Sequence, residues 1–156
     1  MNGQQVQAQQ YSGPVFNPRT GKEDYFFYLT QPTDISSAAT PQQSVIQFDA
    51  DSQFLWVALS YQASIITTGA GAVLTESTNV IPLVTVYMAD GGSGKYLSNA
   101  PLPLGAIAGD GKRPYRLIGP RVFAPNSTLN LNWQTWVAAG TTYRIQLVFH
   151  GIKLYS

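Results

Sequence analysis

Three observations predict an all-β fold for this chain of 156 residues: short runs of aromatic and β-branched residues, turn residues between nearly all of them, and two period-two alternations near the C-terminus. No segment of about eleven or more residues carries a capped 3.6-residue period. The architecture expected is a single jelly-roll-like antiparallel β-sandwich over residues 23–156, preceded by an extended Gln-rich N-terminal arm over residues 1–22.

Residues 1–14 are polar and nearly free of apolar anchors, so alone they cannot repay the entropy of ordering. Asn17–Gly21 carries turn chemistry. Tyr25–Thr30 is aromatic-rich and reads as a strand, followed by a Pro-, Ser- and Thr-rich loop from Gln31 to Ser44. Val45–Phe48 is a short strand. Phe54–Tyr61 is apolar on both faces, as a central strand covered on both sides would be. Ile65–Asn79, with Gly69, Gly71 and several hydroxyl residues, reads as a loop. Val80–Met88 is a strand whose Pro82 belongs at an end, an edge or a bulge. Ala89–Pro114 is a long turn-rich stretch, of a length that usually has a task or a covering partner.

The C-terminal third is the clearest. Tyr115–Ile118 and Val122–Phe123 flank a Gly119-Pro120 turn, and Pro125-Asn126-Ser127 makes another. Along Thr128–Trp133, Leu129, Leu131 and Trp133 alternate with Asn130 and Asn132. Along Tyr143–Lys153, Tyr143, Ile145, Leu147 and Phe149 alternate with Arg144, Gln146 and His150, and only Val148 breaks the polar register. Seven or eight strands result.

Composition narrows the function. Only 11% of residues are charged, against about 25% in an average domain, and 44% are hydrophobic. Uncharged polar residues must therefore build the surface, and such a surface loses less to desolvation when another protein covers it. Nine basic and eight acidic residues leave a net charge of +1. The only basic cluster, Lys112, Arg113, Arg116 and Arg121, lies in a turn-rich stretch and makes no phosphate-tracking stripe, so no nucleic-acid partner is expected. Without cysteine there is neither a disulfide framework nor a thiolate metal site. No apolar run approaches the ~18 residues of a membrane span, and residues 1–14 lack the basic and apolar regions of a signal peptide. The expectation is synthesis in a cytoplasm, no membrane partner and no cofactor.

The chemistry-bearing motifs are weak. His150 is the one histidine, sits in a polar strand register, and has no Cys or second His to make a metal site. The run Gly91–Lys95 resembles a phosphate loop, but Ala89 stands where the first Gly belongs and Tyr96 where Ser or Thr belongs. Asp49 and Asp51 are the only acidic pair at strand spacing; they fall in a turn, without the further ligands of a calcium loop. A serine nucleophile has only His150 for a base. Asn126-Ser127-Thr128 fits a glycosylation acceptor but lacks a secretion signal. Trp56 and Trp133 read as core by register. Trp136, near a Gly140 turn, reads as an exposed or interface aromatic.

One resemblance adds to this. Arg121, Phe123, Pro125, Asn126 and Leu129, followed by Phe149, His150, Gly151, Lys153 and Tyr155, are similar to an R-x-F-x-x-P-N-S/G-x-L hairpin and a closing F-H-G-x-K-x-Y/F strand. That pattern belongs to β-sandwich virion proteins of tailed bacteriophages, and it covers about a quarter of the chain. The resemblance implies a non-enzymatic structural part of a phage particle, a capsid decoration or minor capsid protein. It also implies a homotrimer, with an arm that grips the major capsid protein or a neighbouring copy. On that reading the arm anchors are Tyr11, Val15 and Phe16, the long loop offers Tyr96 and Leu97 as contacts, and the protein ends in the virion. The alternative of another class is a receptor- or glycan-binding head of a collar or tail fibre, with Trp136 and Tyr96 around a shallow groove.

Overall fold

A computed structural model describes residues 24–36, 42–66, 74–76, 81–135 and 142–155. Within them the chain forms two antiparallel sheets packed face to face, an all-β sandwich. In chain order the strands are β1 (Asp24–Leu29), β2 (Thr33–Ser36), β3 (Gln42–Gln47), β4 (Ser52–Ile66), β5 (Leu74–Glu76), β6 (Val84–Asp90), β7 (Lys95–Tyr96) and β8 (Leu102–Pro103). A single helical turn, α1 (Leu104–Ile107), precedes β9 (Tyr115–Phe123), β10 (Thr128–Thr135) and β11 (Thr142–Tyr155).

The first sheet has six strands and is organised by two long ones. β11 and β4 pair from Thr142 opposite Ile66 to Tyr155 opposite Ser52. β1 and β2 lie end to end along the free edge of β11. β9 and β5 do the same along β4, and Gly109 fills the gap between them, donating its N–H to Leu59 and accepting from the Tyr61 N–H. The second sheet has five strands, in the order β3-β10-β6, with β7 and β8 sharing the outer edge of β6.

Alternation dictates what fills the space between the sheets. Leu129, Leu131 and Trp133 of β10 are fully buried, as are Ile145, Leu147 and Phe149 of β11. They meet Ile46, Val84, Val86 and Met88 of the second sheet and Leu59, Tyr61 and Ala63 of β4. One end of this core is aromatic: Phe48 stacks on Phe123 at 4.5 Å, Tyr28 meets Phe48 and Phe54 edge-on at 4.9 Å and 4.8 Å, and Trp56 leans on Phe149 at 5.0 Å. Such pairs add about 0.5–1.5 kcal/mol each beyond their burial. Polar groups that enter the core are matched. The Trp133 indole N–H donates to Ser44 Oγ at 2.9 Å, and Ser44 in turn shares a hydrogen bond with Thr33 Oγ1 at 2.7 Å, linking the two sheets.

Asp49 ties four chain segments together at the aromatic end. Its N–H donates to the Tyr28 hydroxyl at 3.0 Å, its carbonyl accepts from the Asn126 N–H at 3.0 Å, and its carboxylate pairs with Lys153. Lys153 is only 6% exposed, with its ammonium 4.0 Å from the centre of the Phe26 ring. Burial opposes its charge, yet the bond to Asp49 and the field of Tyr28 hold its pKa above the usual lysine value. The same bond holds the Asp49 carboxyl below the usual carboxylate range. Asn126 adopts a left-handed φ of 56° at its turn, accepting at Oδ1 from Gln47 Nε2 at 3.2 Å.

Several sequence expectations need correction. The stretch Gln31–Ser44 was expected to be a loop, but it contains β2 and the start of β3, because Ile35 reaches the core and Thr33 finds Ser44. Ile65–Asn79 was also expected to be a loop; β4 runs on through Ile66, where β11 still supplies partners, and β5 pairs with it. Ala89–Pro114 contains β7, β8 and α1 rather than turns alone. The strand expected over Val80–Met88 is β6 at Val84–Asp90, so Pro82, expected at an end, an edge or a bulge, lies just before its first residue. Gly119-Pro120 does not separate two strands. Arg121 pairs with Trp56 and Arg116 with Ala58, so residues 117–120 bow out of one continuous β9, opposite the single residue Val57.

Val57 is also the extra residue against β11, where His150 pairs with Ala58 and Gly151 with Trp56. At this pinch Gly151 has no room for a side chain: a Cβ would lie 2.4 Å from the Leu55 carbonyl oxygen and from the Phe54 ring. Gly119 is the contrast, with nothing near a Cβ. Gly151→Ala is therefore expected to lower unfolding free energy by about 2–3 kcal/mol, while Gly119→Ala stays within about 0.5 kcal/mol. Urea denaturation of both variants checks this, and equal stabilities would contradict the pinch.

Candidate functional site

His150 projects from the outer face of the first sheet, with Nε2 2.7 Å from Ser60 Oγ and its ring edge-on to Phe27 at 5.1 Å. A Ser–His pair invites comparison with a nucleophile and its base. Here, however, Ser60 is 3% exposed, and burial pushes the imidazole below its ordinary 6.5, with no carboxylate among the described residues acting on the ring. A base held neutral and unoriented, beside a hydroxyl that substrate cannot reach, fits packing better than nucleophilic attack. Asp49 is engaged by Lys153, Asp34 by both guanidinium nitrogens of Arg144 at 2.7 Å and 2.8 Å, and Asp90 by its own turn through Gly92 N–H and Ser93 Oγ. Among the described residues no group of three or more His, Asp or Glu side chains converges on a metal position. No described helix is long and apolar enough to cross a membrane.

The two outer faces differ in chemistry. On the second sheet Gln43, Val45 and Gln47 of β3, Asn130 and Asn132 of β10 and Tyr87 of β6 make a face mainly of amides, with Val45 exposed among them and Tyr96 of β7 stacked on Tyr87. On the first sheet the register aligns Tyr25, Ile152, Leu55 and Val122 in one row across four strands. Phe27 and Leu29 continue the apolar surface along β1. Tyr25 is 63% exposed and Phe27 51%, with Leu29 and Val122 close behind. Toward the other end this face turns polar, with Gln62, Gln146 and the Arg144–Asp34 pair. Exposed apolar side chains grouped at one end of a sheet face form the kind of patch that recurs at sites of protein contact.

A second feature lies at the flank where β9 of one sheet and β7–β8 of the other do not pair. A cavity of about 350 Å³ opens there. Trp56, Leu59 and Met88 form its floor, Leu97 stands on one side and Leu117 on the other, and Arg121 is at the rim, 3.7 Å from Asp90 across the seam. The expected contacts divide accordingly. Tyr96 is 55% exposed and stacks on Tyr87 at 4.2 Å, whereas Leu97 turns inward, packs against the core and lines the cavity. Tyr11, Val15, Phe16 and Trp136 lie outside the described residues. The exposed row on β1 was missed in the sequence although its residues were visible, because assigning their outward register requires knowing that Tyr28 faces the aromatic core.

The residues that carry the phage resemblance serve the fold. Phe123, Leu129 and Phe149 are core, Asn126 makes the left-handed turn, Gly151 occupies the pinch, and Lys153 is the buried partner of Asp49.

A pH dependence follows from His150, the one histidine of the chain. Its folded pKa lies below 6.5, so the unfolded chain takes up the proton first as pH falls. Its contribution is complete above pH 6.5 and is lost as pH drops through the window beneath. Asp34, Asp49 and Asp90, all held below 3.8, give way only in stronger acid. Melting temperature should therefore decline from pH 7 to pH 5 in the wild type and stay flatter in His150→Gln; parallel curves would assign the loss elsewhere. No known protein family, curated protein or solved structure matches this chain.

Proposed function

We propose that this chain is a non-enzymatic structural protein of a tailed-phage virion, a capsid decoration or minor capsid protein that assembles as a homotrimer and stabilises the head by covering the major capsid protein. The observation that carries the docking part is the set of exposed apolar side chains Tyr25, Phe27, Leu29 and Val122 on the outer face of the first sheet, in a chain poor in charge. Each such side chain, when covered, contributes about 1.5–3 kcal/mol, and repetition over many copies multiplies a modest contact into firm attachment. The virion part is supported by the C-terminal resemblance. Strand order agrees with it as well. Counting β1 with β2 and β7 with β8 as single strands, and setting β5 aside, the sheets read 1-8-3-6 and 2-7-4-5, which we take as a jelly roll.

On this reading residues 1–22 are the arm, with Tyr11, Val15 and Phe16 as its anchors. One feature favours the rival reading of a receptor- or glycan-binding head: the parallel Tyr87–Tyr96 pair, which presents an aromatic surface on which a sugar ring stacks.

Cosedimentation of the purified protein with heads of a phage that encodes it, followed by electron microscopy, tests the proposal. The wild type should saturate defined positions. A Tyr25→Ser, Phe27→Ser double variant, changed only at exposed positions, should bind at least about tenfold more weakly. Deletion of residues 1–16 should leave the domain folded and lower occupancy. No binding by the wild type rejects the virion role, and full occupancy by the double variant rejects the face. A glycan-array signal abolished by Tyr96→Ala would establish the rival.

A further inference from the structure

We infer that the bowed segment of β9 is a self-association device, in which Ile118 of one copy enters the cavity beside β9 of the next copy, head to tail around a closed ring. This rests on the oligomer of the proposed function and supplies its contact, but it concerns the isolated protein and is tested without any particle.

Ile118 is the starting point. It is 99% exposed, more than any other large hydrophobic side chain among the described residues. A single exposed isoleucine is ordinary. This one sits at the crest of residues 117–120, which leave the sheet opposite Val57 and rejoin it within four residues. Both ends are fixed by pairing, Arg116 with Ala58 and Arg121 with Trp56, so the crest is presented from a rigid edge. Pro120 restricts the backbone further. An apolar knob on a pinned crest is already ordered before binding, which lowers the entropic cost of a contact.

The matching hole is beside it. The cavity floor of Trp56, Leu59 and Met88 is apolar, and its volume of about 350 Å³ admits a branched aliphatic side chain with room for the crest that bears it. The one charged group at the rim, Arg121, is neutralised by Asp90 at 3.7 Å, so covering the mouth strands no lone charge.

The direction of knob and hole selects the symmetry. Leu117 lines the cavity and packs on the core, whereas Ile118 is 99% exposed and is not part of the lining, so Ile118 points away from the cavity that its own neighbours wall. A knob and a hole on opposite sides of one strand cannot satisfy each other across a two-fold axis. They join head to tail, and a head-to-tail contact that closes makes a ring, such as the trimer proposed.

Gly119 offers a clean blocking site, because a side chain there starts in open space and shares the cavity side with Leu117. Full-length wild type, Ile118→Asp and Gly119→Trp are to be compared by sedimentation equilibrium over a micromolar concentration series, with melting curves alongside. The wild type should associate. Each variant should associate at least about tenfold more weakly while melting as the wild type does. Should Gly119→Trp melt early, Gly119→Leu serves in its place. Mixing is the decisive arm: Ile118→Asp keeps its hole and the Gly119 variant keeps its knob, so the mixture should recover a mixed pair that neither forms alone. A monomeric wild type, variants that associate like the wild type, or a mixture without mixed pairs would each overturn the inference.

Discussion

The ladder between β4 and β11 is the constraint from which the rest of the molecule follows. Fourteen residues of β11 lie against fifteen of β4, and the mismatch of one is absorbed at Val57. A bulge of this kind twists and bends a strand and re-aims the side chains around it. Its consequences run in both directions. Toward β11 it brings the Leu55 carbonyl and the Phe54 ring so close that only glycine fits at position 151. Toward β9 it leaves four residues facing one, and they bow out as the cavity wall and the exposed crest. Beyond the bulge the alternation resumes in phase, which sends Lys153 inward to Asp49 and turns Ile152 to the outer face, where it is covered between Tyr25 and Leu55. One inserted residue thus couples the core, the edge and the outer face.

The fold was largely legible because period-two burial is a local property. Leu129, Leu131 and Trp133, or Ile145, Leu147 and Phe149, each declare a face without reference to anything distant, and all are buried. What stayed hidden depends on partners far along the chain. β2 has four residues and only Ile35 as an anchor; it is a strand because β11 is long enough to hold a second partner beyond β1. Ile65 and Ile66 looked like the start of a Gly-rich loop for the same reason. Gly119-Pro120 carries good turn chemistry, and the chain does turn aside there, but Arg121 is drawn back into register by Trp56.

The candidate site was less legible. Lys153 sits where alternation calls for an apolar side chain, and no local rule says that an acidic turn about a hundred residues earlier will neutralise it. The Asp49–Asp51 pair was readable as turn chemistry; that Asp49 would also bind Tyr28, Asn126 and Lys153 was not. The aromatic run at Tyr25 predicts a strand but not which of its rings face water. In a sandwich half of every strand faces outward, and only cross-strand register reveals whether outward-facing apolar residues line up into one surface. The cavity is harder still, since it is made by the failure of two edges to meet.

The motif with a phage resemblance has a particular standing in this light. Phe149, Gly151 and Lys153, like Phe123, Asn126 and Leu129, are all consumed by packing, a turn or a buried ion pair. Members so used specify an architecture, whereas His150 on the outer face and Arg121 at the cavity rim belong to the surface. Function in such a protein has to be sought where the fold makes no demand. Two of the places that meet that condition are the outer face of β1 and the crest of β9. Tyr25 and Phe27 leave most of their rings in water although the first sheet would pair as well with polar residues there, and Ile118 is solvated on a crest that no strand needs. On the proposed reading these two places have separate tasks: the face on β1 would meet a surface, and the knob on β9 a neighbouring copy.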